Sequence, residues 1–395
     1  MNTKIISGLF VLALAATACV SEFNAKLPPN DAQLLIVEGN IMENTDAVFY
    51  LSKSFPLDSA LNKMESLNVH ANVTIIGSNG YQSQPATNVG YGAYRIAVGS
   101  LDDDVAYGVR IEYDGNTYQS ALTKPLRTPE IDSISFIQTE KGGMVDFQIS
   151  THDNKNGANF FIWNYKEDWE ISAYYATTIF YDPAAGAFYT DYSLSNLYCW
   201  RSSASNQFLI GSTESLKENR IINKQLYQAA PQDARFSLLY CVTVNQRTIS
   251  KGAYEYYQNK ITLNGEMGGL FTPQPTELTG NVTCTTDPSK RVMGYIEVNK
   301  NTTQKRIFVY PWQITRPPMY PDCTTITQDS VRTLMSDMKM SYTDVYNMGL
   351  RPAGDMDMMQ YPRILPTDWA MARCTDCVSA GGSKNKPDFW PNDHK

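Results

Sequence analysis

The chain carries seven cysteines and three histidines among 395 residues, and these few side chains bound its chemistry. Cys374-Thr-Asp-Cys377 has the spacing of a redox pair. A redox cysteine needs a helix N-terminus to lower its pKa, and the following Ser379-Ala-Gly-Gly-Ser383 cannot hold a helix. A zinc site would require two further thiolates or imidazoles. Structural disulfides are the expected use, between these two cysteines or to different partners. Cys19 stands apart. Lys4, the apolar stretch Ile5–Ala15 and the small residues Ala16, Thr17 and Ala18 lead directly to it. That stretch is too short to span a bilayer and reads as a cleaved export signal. A cysteine at the cleavage point is where a bacterial lipoprotein takes a diacylglycerol on its thiol, so Cys19 is the expected lipidation site. Six cysteines then remain: Cys199, Cys241, Cys284, Cys323, Cys374 and Cys377. In an oxidising compartment they can form three disulfides, with connectivity left open.

Other chemistry finds little support. A serine or cysteine hydrolase needs a His base. His70 falls in an expected strand, His152 near a domain boundary and His394 beside the terminus, where local bonding or solvent is the expected role. The sequence contains no phosphate-binding Gly-rich loop, G-x-S-x-G elbow or H-E-x-x-H helix. Asp355-Met-Asp357 after Gly354 starts like a calcium loop, but Met359 breaks the alternation and a turn is expected. The acidic run Asp102, Asp103, Asp104 reads as a solvated loop. Asp168-Trp169-Glu170 has a sugar-binding flavour, but an amphipathic strand explains it more simply. Dispersed carboxylates for glycoside cleavage leave no local signature, so a carboxylate-based hydrolase stays as an alternative. No catalytic residue, cofactor or metal ligand is assigned.

The elements that would position these residues are mostly strands. Residues 1–18 form the expected signal peptide and 19–33, with Pro28-Pro29, a lipidated tether. From Leu34 short β-type runs alternate with turn residues: Leu34–Ile41, Ala47–Ser54, Val69–Gly77, Tyr94–Val98, Tyr107–Tyr113 and Thr117–Leu122. Asn79-Gly80 and Asp114-Gly115 suit two-residue hairpin turns. This spacing predicts an immunoglobulin-like β-sandwich over 34–126. Lys124–Glu130 is proline-marked and reads as a boundary. A larger β-rich domain with a few short helices is expected over 127–395. Its strands begin at Ile131, Val145, Asn159, Phe236, Val292 and Arg306, while Ser172–Tyr198 is weakly patterned. Helices are expected over Ser250–Leu263 and over Asp329–Met340, the second capped by Thr327 or Asp329.

Composition agrees with a secreted β-protein. Hydrophobic residues make up 43% of the chain, and Tyr is abundant at 25 residues. The net charge is −7, and removal of a signal containing one Lys and no acid makes it more negative still. That balance disfavours nucleic acid and anionic lipid as partners. Beyond the signal no apolar run approaches membrane-spanning length, so acyl chains are the expected anchor.

Four groups of landmarks follow one another along the chain. They are Gly252-Ala-Tyr-Glu-Tyr-Tyr257; Gly268-Gly-Leu-Phe-Thr-Pro-Gln-Pro-Thr-Glu-Leu-Thr-Gly-Asn281; Val292-Met-Gly-Tyr-Ile296 with Lys305-Arg-Ile-Phe308; and Cys374-Thr-Asp-Cys377 with Gly381-Gly-Ser and Pro387-Asp-Phe-Trp390. In order and spacing they resemble the Bacteroidota outer-membrane lipoproteins called domain of unknown function 4249. The resemblance implies a protein encoded near TonB-dependent outer-membrane receptors, with no enzymatic activity attached. The implied partners are a lipid bilayer, through acylated Cys19, and a TonB-dependent receptor or uptake system. An independent surface glycan- or peptide-binding lipoprotein is the alternative. Physically, Gly268 and Gly269 suit a tight turn, Pro273 and Pro275 an extended segment, and Phe389-Trp390 a hydrophobic clasp seating the tail.

Overall fold

The computed structural model describes residues 34–54, 69–155, 157–193, 196–265, 278, 280–316, 322–353 and 364–392. Cys19, His394, Asp355, Asp357, Gly268, Gly269, Pro273 and Pro275 lie outside the described residues. The protein is mainly β, with an N-terminal sandwich followed by a larger β-rich part carrying a few short helices. Seven strands open the chain: β1 (Leu35–Met42), β2 (Asp46–Lys53), β3 (Asn72–Gly77), β4 (Thr87–Gly90), β5 (Ala93–Ala97), β6 (Tyr107–Tyr113) and β7 (Asn116–Ser120). Period-two alternation puts Val37, Ile41, Phe49 and Leu51 of one sheet against Val73, Ile75, Val109 and Ile111 of the other, all buried. Asp114 and Gly115 both adopt positive φ, as a primed hairpin turn requires, whereas at Asn79-Gly80 only the glycine does.

The second unit holds β8 (Ile131–Ile137), β9 (Val145–His152), β10 (Phe160–Ser172), β11 (Ile179–Asp182), β12 (Ala187–Thr190), β13 (Tyr198–Ala204), β14 (Leu209–Ser212), β15 (Arg220–Ala229) and β16 (Tyr240–Thr248). Sheet β15-β9-β8 faces sheet β13-β10-β16 over a core rich in rings. Tyr165, Tyr227 and Phe147 stack in series at 4.2 and 4.6 Å between ring centroids. The weakly patterned stretch from Ser172 contains the β11–β12 hairpin.

Helix α1 (Lys251–Gly265) follows, starting one residue after the expected Ser250. Then come β17 (Val282–Cys284), β18 (Val292–Asn299) and β19 (Thr303–Val309). Here the expected assignment of all of 127–395 to the second domain is corrected. β18 runs parallel to β1, with Val37 opposite Gly294 and Ile41 opposite Val298, and β17 pairs with β7. The first sandwich is therefore discontinuous in sequence: its last two strands return after the second unit is largely built. Ile296, Val298 and Val282 supply the apolar surface that makes this return favourable. β19 completes the other side by joining β16.

Glu297 anchors α1 to this seam. It is 2% exposed. Its carboxylate accepts from Ser250 Oγ at 2.6 Å and from the Ser250 amide at 3.1 Å, while Ser250 Oγ accepts from the Ala253 amide at 3.2 Å. Burial pushes the Glu297 carboxyl up, against the hydrogen bonds from Ser250. The folded state therefore holds this proton more tightly than the unfolded chain, and the associated stability is lost as pH rises through the folded pKa. In Glu297→Gln, the variant's melting temperature minus that of the parent should accordingly rise from pH ~4 to pH ~8. A difference that stays flat over that range, measured by thermal unfolding, would contradict this coupling.

A satellite closes the chain: β20 (Ile326–Thr327), α2 (Gln328–Met338), α3 (Tyr342–Asn347), β21 (Leu350–Pro352), β22 (Asp368–Met371) and α4 (Ala372–Thr375). Thr327 caps α2 by accepting from the Ser330 amide. Beyond α4 the tail lies on the outer face of β16 and β19. Trp390 is buried beside Leu239 and Cys241 and meets Phe308 edge-on at 5.6 Å. The Arg306 guanidinium sits 3.6 Å from the centre of the Phe389 ring. The expected aromatic clasp is thus in place.

Candidate functional site

The chain crosses between the two units through residues 121–130, between β16 and β17, and between β18 and β19. Two of these crossings are laced together. The Leu126 amide donates to Val298 O at 2.9 Å and the Lys300 amide to Leu126 O at 2.8 Å. Asn301 Nδ2 donates to Thr128 O at 2.8 Å, and its Oδ1 accepts from the Thr128 amide at 3.0 Å. Gln246 Nε2 and Thr303 Oγ1 both donate to Pro129 O, each at 2.9 Å. Pro125 and Pro129 lack the N–H that this lattice would otherwise have to satisfy. The joint is therefore a hydrogen-bonded block, not a free linker.

The acidic run fastens the same joint. Asp103 pairs with Arg127 at 2.7 Å and with Lys300 at 3.1 Å, and Asp104 with Lys124 at 3.3 Å. Hydrogen bonds from Arg127 and Lys300 hold the Asp103 carboxyl below its usual range. Lys300 also reaches Glu43 at 3.0 Å, and the Leu101 amide and Lys300 lower the pKa of that carboxyl. The run is the expected solvated loop, and two of its acids form ion pairs across a crossing.

A cleft of about 760 Å³ opens beside the joint. Its walls are the linker 125–130, the start of β8, and the end of β9 with the loop after it. His152 and Asp132 meet within it, Nδ1 to Oδ1 at 2.6 Å. A carboxylate only accepts, so His152 Nδ1 carries a proton in this contact, and Nε2 is left for another partner. Asp153 shapes the loop: its carboxylate accepts from the amides of Lys155, Gly157 and Ala158 at 2.9, 2.8 and 2.8 Å. Among the described residues no cluster of three or more His, Cys, Asp or Glu is placed to hold a metal ion, and no helix is long and apolar enough to cross a membrane.

The cysteine expectations need correction. Two disulfides form, Cys199–Cys377 and Cys323–Cys374, so the neighbouring pair bonds outward to two different partners. Cys241 and Cys284 are buried and unpaired. Cys284 belongs to the core of the first sandwich and Cys241 to the cluster under Trp390, so packing in separate cores keeps them apart. Burial pushes the Cys241 thiol up to about 12, which leaves it a weak nucleophile.

Asp168-Trp169-Glu170 is an interior strand segment and no surface sugar site. Asp168 and Glu170 are fully buried, and Asp168 takes Lys166 Nζ at 2.7 Å and the Ser202 hydroxyl. Its neighbour Glu167 accepts from Tyr240 Oη at 2.6 Å and pairs with Arg235. His70 is exposed. His152 is expected near the domain boundary that the proline-marked linker forms. Neither pattern shows that they form one cleft, since Asn301 and Asp103 come from distant parts of the chain.

Fold and site together define a rigidly jointed, disulfide-bearing two-unit β-protein with a cleft at its joint. The chain belongs to the family described as "Domain of unknown function (DUF4249)", which matches residues 20–305. No curated protein matches it. Among solved structures, a two fibronectin type-III domain segment from chicken tenascin is similar at 9% identity, over 55% of this chain and 92% of that one, with a TM-score of 0.16.

Proposed function

We propose that the protein is an outer-membrane lipoprotein held to the bilayer by acylated Cys19, acting as a non-enzymatic accessory or binding partner of a TonB-dependent receptor or uptake system. The observation that carries this reading is Cys19 directly after its short apolar stretch, with the family match opening at residue 20. The surface adds support. Trp312 is 73% exposed and stacks on Tyr310 at 4.6 Å, and Tyr91 and Tyr192 are similarly open. Rings presented on a rigid body are the residue types that anchor protein interfaces. Purification from membranes in mild detergent should bring a large outer-membrane receptor with the protein. Elution as a lone monomer while receptor is abundant would overturn the partnership. An unacylated first residue by mass spectrometry would overturn the anchor. The alternative is an independent surface glycan- or peptide-binding lipoprotein, and of these two ligands the joint cleft supports the peptide.

A further inference from the structure

The cleft at the joint has a charge balance that selects among ligands. Asp103 is neutralised by Arg127 and Lys300. Asp132 is engaged by His152 Nδ1. The Asp153 carboxylate is committed to three backbone amides. Two charged side chains on the lining remain, Glu130 and Lys155. Both residues are exposed. Neither side chain has an ion-pair or hydrogen-bond partner among the described residues; only the Glu130 carbonyl and the Lys155 amide are used. Glu130 ends the linker and Lys155 lies in the loop after β9, and both are on the lining together with His152.

From this arrangement we infer that the cleft binds a zwitterion: an amino acid or short peptide whose free ammonium meets Glu130 and whose free carboxylate meets Lys155. The volume, about 760 Å³, lies within the usual range for small-ligand sites, roughly 300–1,000 Å³. A polyphosphate is disfavoured, because the lining holds more carboxylates than cations. A sugar platform normally offers an aromatic face, and the lining has no Phe, Tyr or Trp. His152 Nε2 and Asn154 are left to hydrogen-bond the peptide backbone. The laced joint holds the linker wall, and the Asp153 carboxylate braces the loop that carries Lys155, before the ligand arrives, which reduces the ordering that binding requires. This inference does not depend on receptor docking.

Isothermal titration of the purified full-length protein with trialanine, N-acetyl-trialanine and trialanine amide tests it. Trialanine should bind with a Kd near ~1 mM or tighter, and either cap should weaken binding roughly tenfold, as loss of one charge-assisted contact does. Lys155→Ala should abolish the penalty of the amide cap alone, and Glu130→Gln that of the acetyl cap alone. Both side chains are exposed, and circular dichroism verifies that each variant is folded. No heat from trialanine up to about 10 mM would overturn the inference, as would equal affinity for all three probes or cap penalties unchanged in both variants. Failure here leaves the membrane co-purification result intact, and failure there leaves this one intact.

Discussion

Gly294→Ala is expected to destabilise the protein by about 3 kcal/mol or more. Gly294 has φ +151°, in a region that side chains rarely adopt, and a Cβ there would overlap the Val37 carbonyl oxygen of β1. Both contacting groups are backbone in a parallel ladder, so neither can move aside without opening the Leu35–Met42 to Val292–Asn299 pairing. The same close approach recurs one layer further out. The Asn281 amide donates to Gly294 O at 3.0 Å, and a Cβ on Gly280 would strike that oxygen. The seam where the late strands rejoin the first sandwich therefore depends on glycine at both positions. Gly99→Ala is the control, because nothing lies within 4 Å of its added Cβ; it should change stability by no more than about 0.5 kcal/mol. Denaturant midpoints compare the two. Equal stability of both variants would mean that β18 does not pair with β1 as described.

Cys377→Ser should cost roughly 2–5 kcal/mol, and limited proteolysis should then release the tail that the aromatic clasp alone must hold. The Cys199–Cys377 bond spans 178 residues, so its loss frees much of the second unit in the unfolded ensemble. Thiol alkylation gives an independent reading. Denatured, unreduced protein should take up alkyl groups at Cys241 and Cys284, the two unpaired thiols of the described residues, and at no other described cysteine. Uptake at neither would show that a third disulfide exists, and uptake at Cys374 or Cys377 would show that the outward pairings are wrong.

The sequence was most legible where contacts are local. The expected run Ala47–Ser54 overlaps β2, whose Ala47, Phe49 and Leu51 are buried. The Asp114-Gly115 turn, the Thr327 cap and the start of α1, one residue past the expected Ser250, depend on neighbours a few residues away. Strands with weaker patterns were missed: Thr87–Gly90, exposed along its whole length, and Arg220–Ala229, interrupted by register shifts, carry little alternation to read. The cleft was illegible for another reason. Its walls bring Asp103, Glu130, His152 and Asn301 together, and each alone looks like an ordinary polar surface residue.

By itself the sequence determined the β character, the charge balance that disfavours nucleic acid, the family and the tail clasp, because these follow from composition, short periodicities and landmark residues. Tertiary structure alone decided that residues 282–299 return to the first sandwich, which cysteines meet, and where the cleft lies. Those outcomes depend on which apolar faces find each other across hundreds of residues, and buried area is blind to separation along the chain.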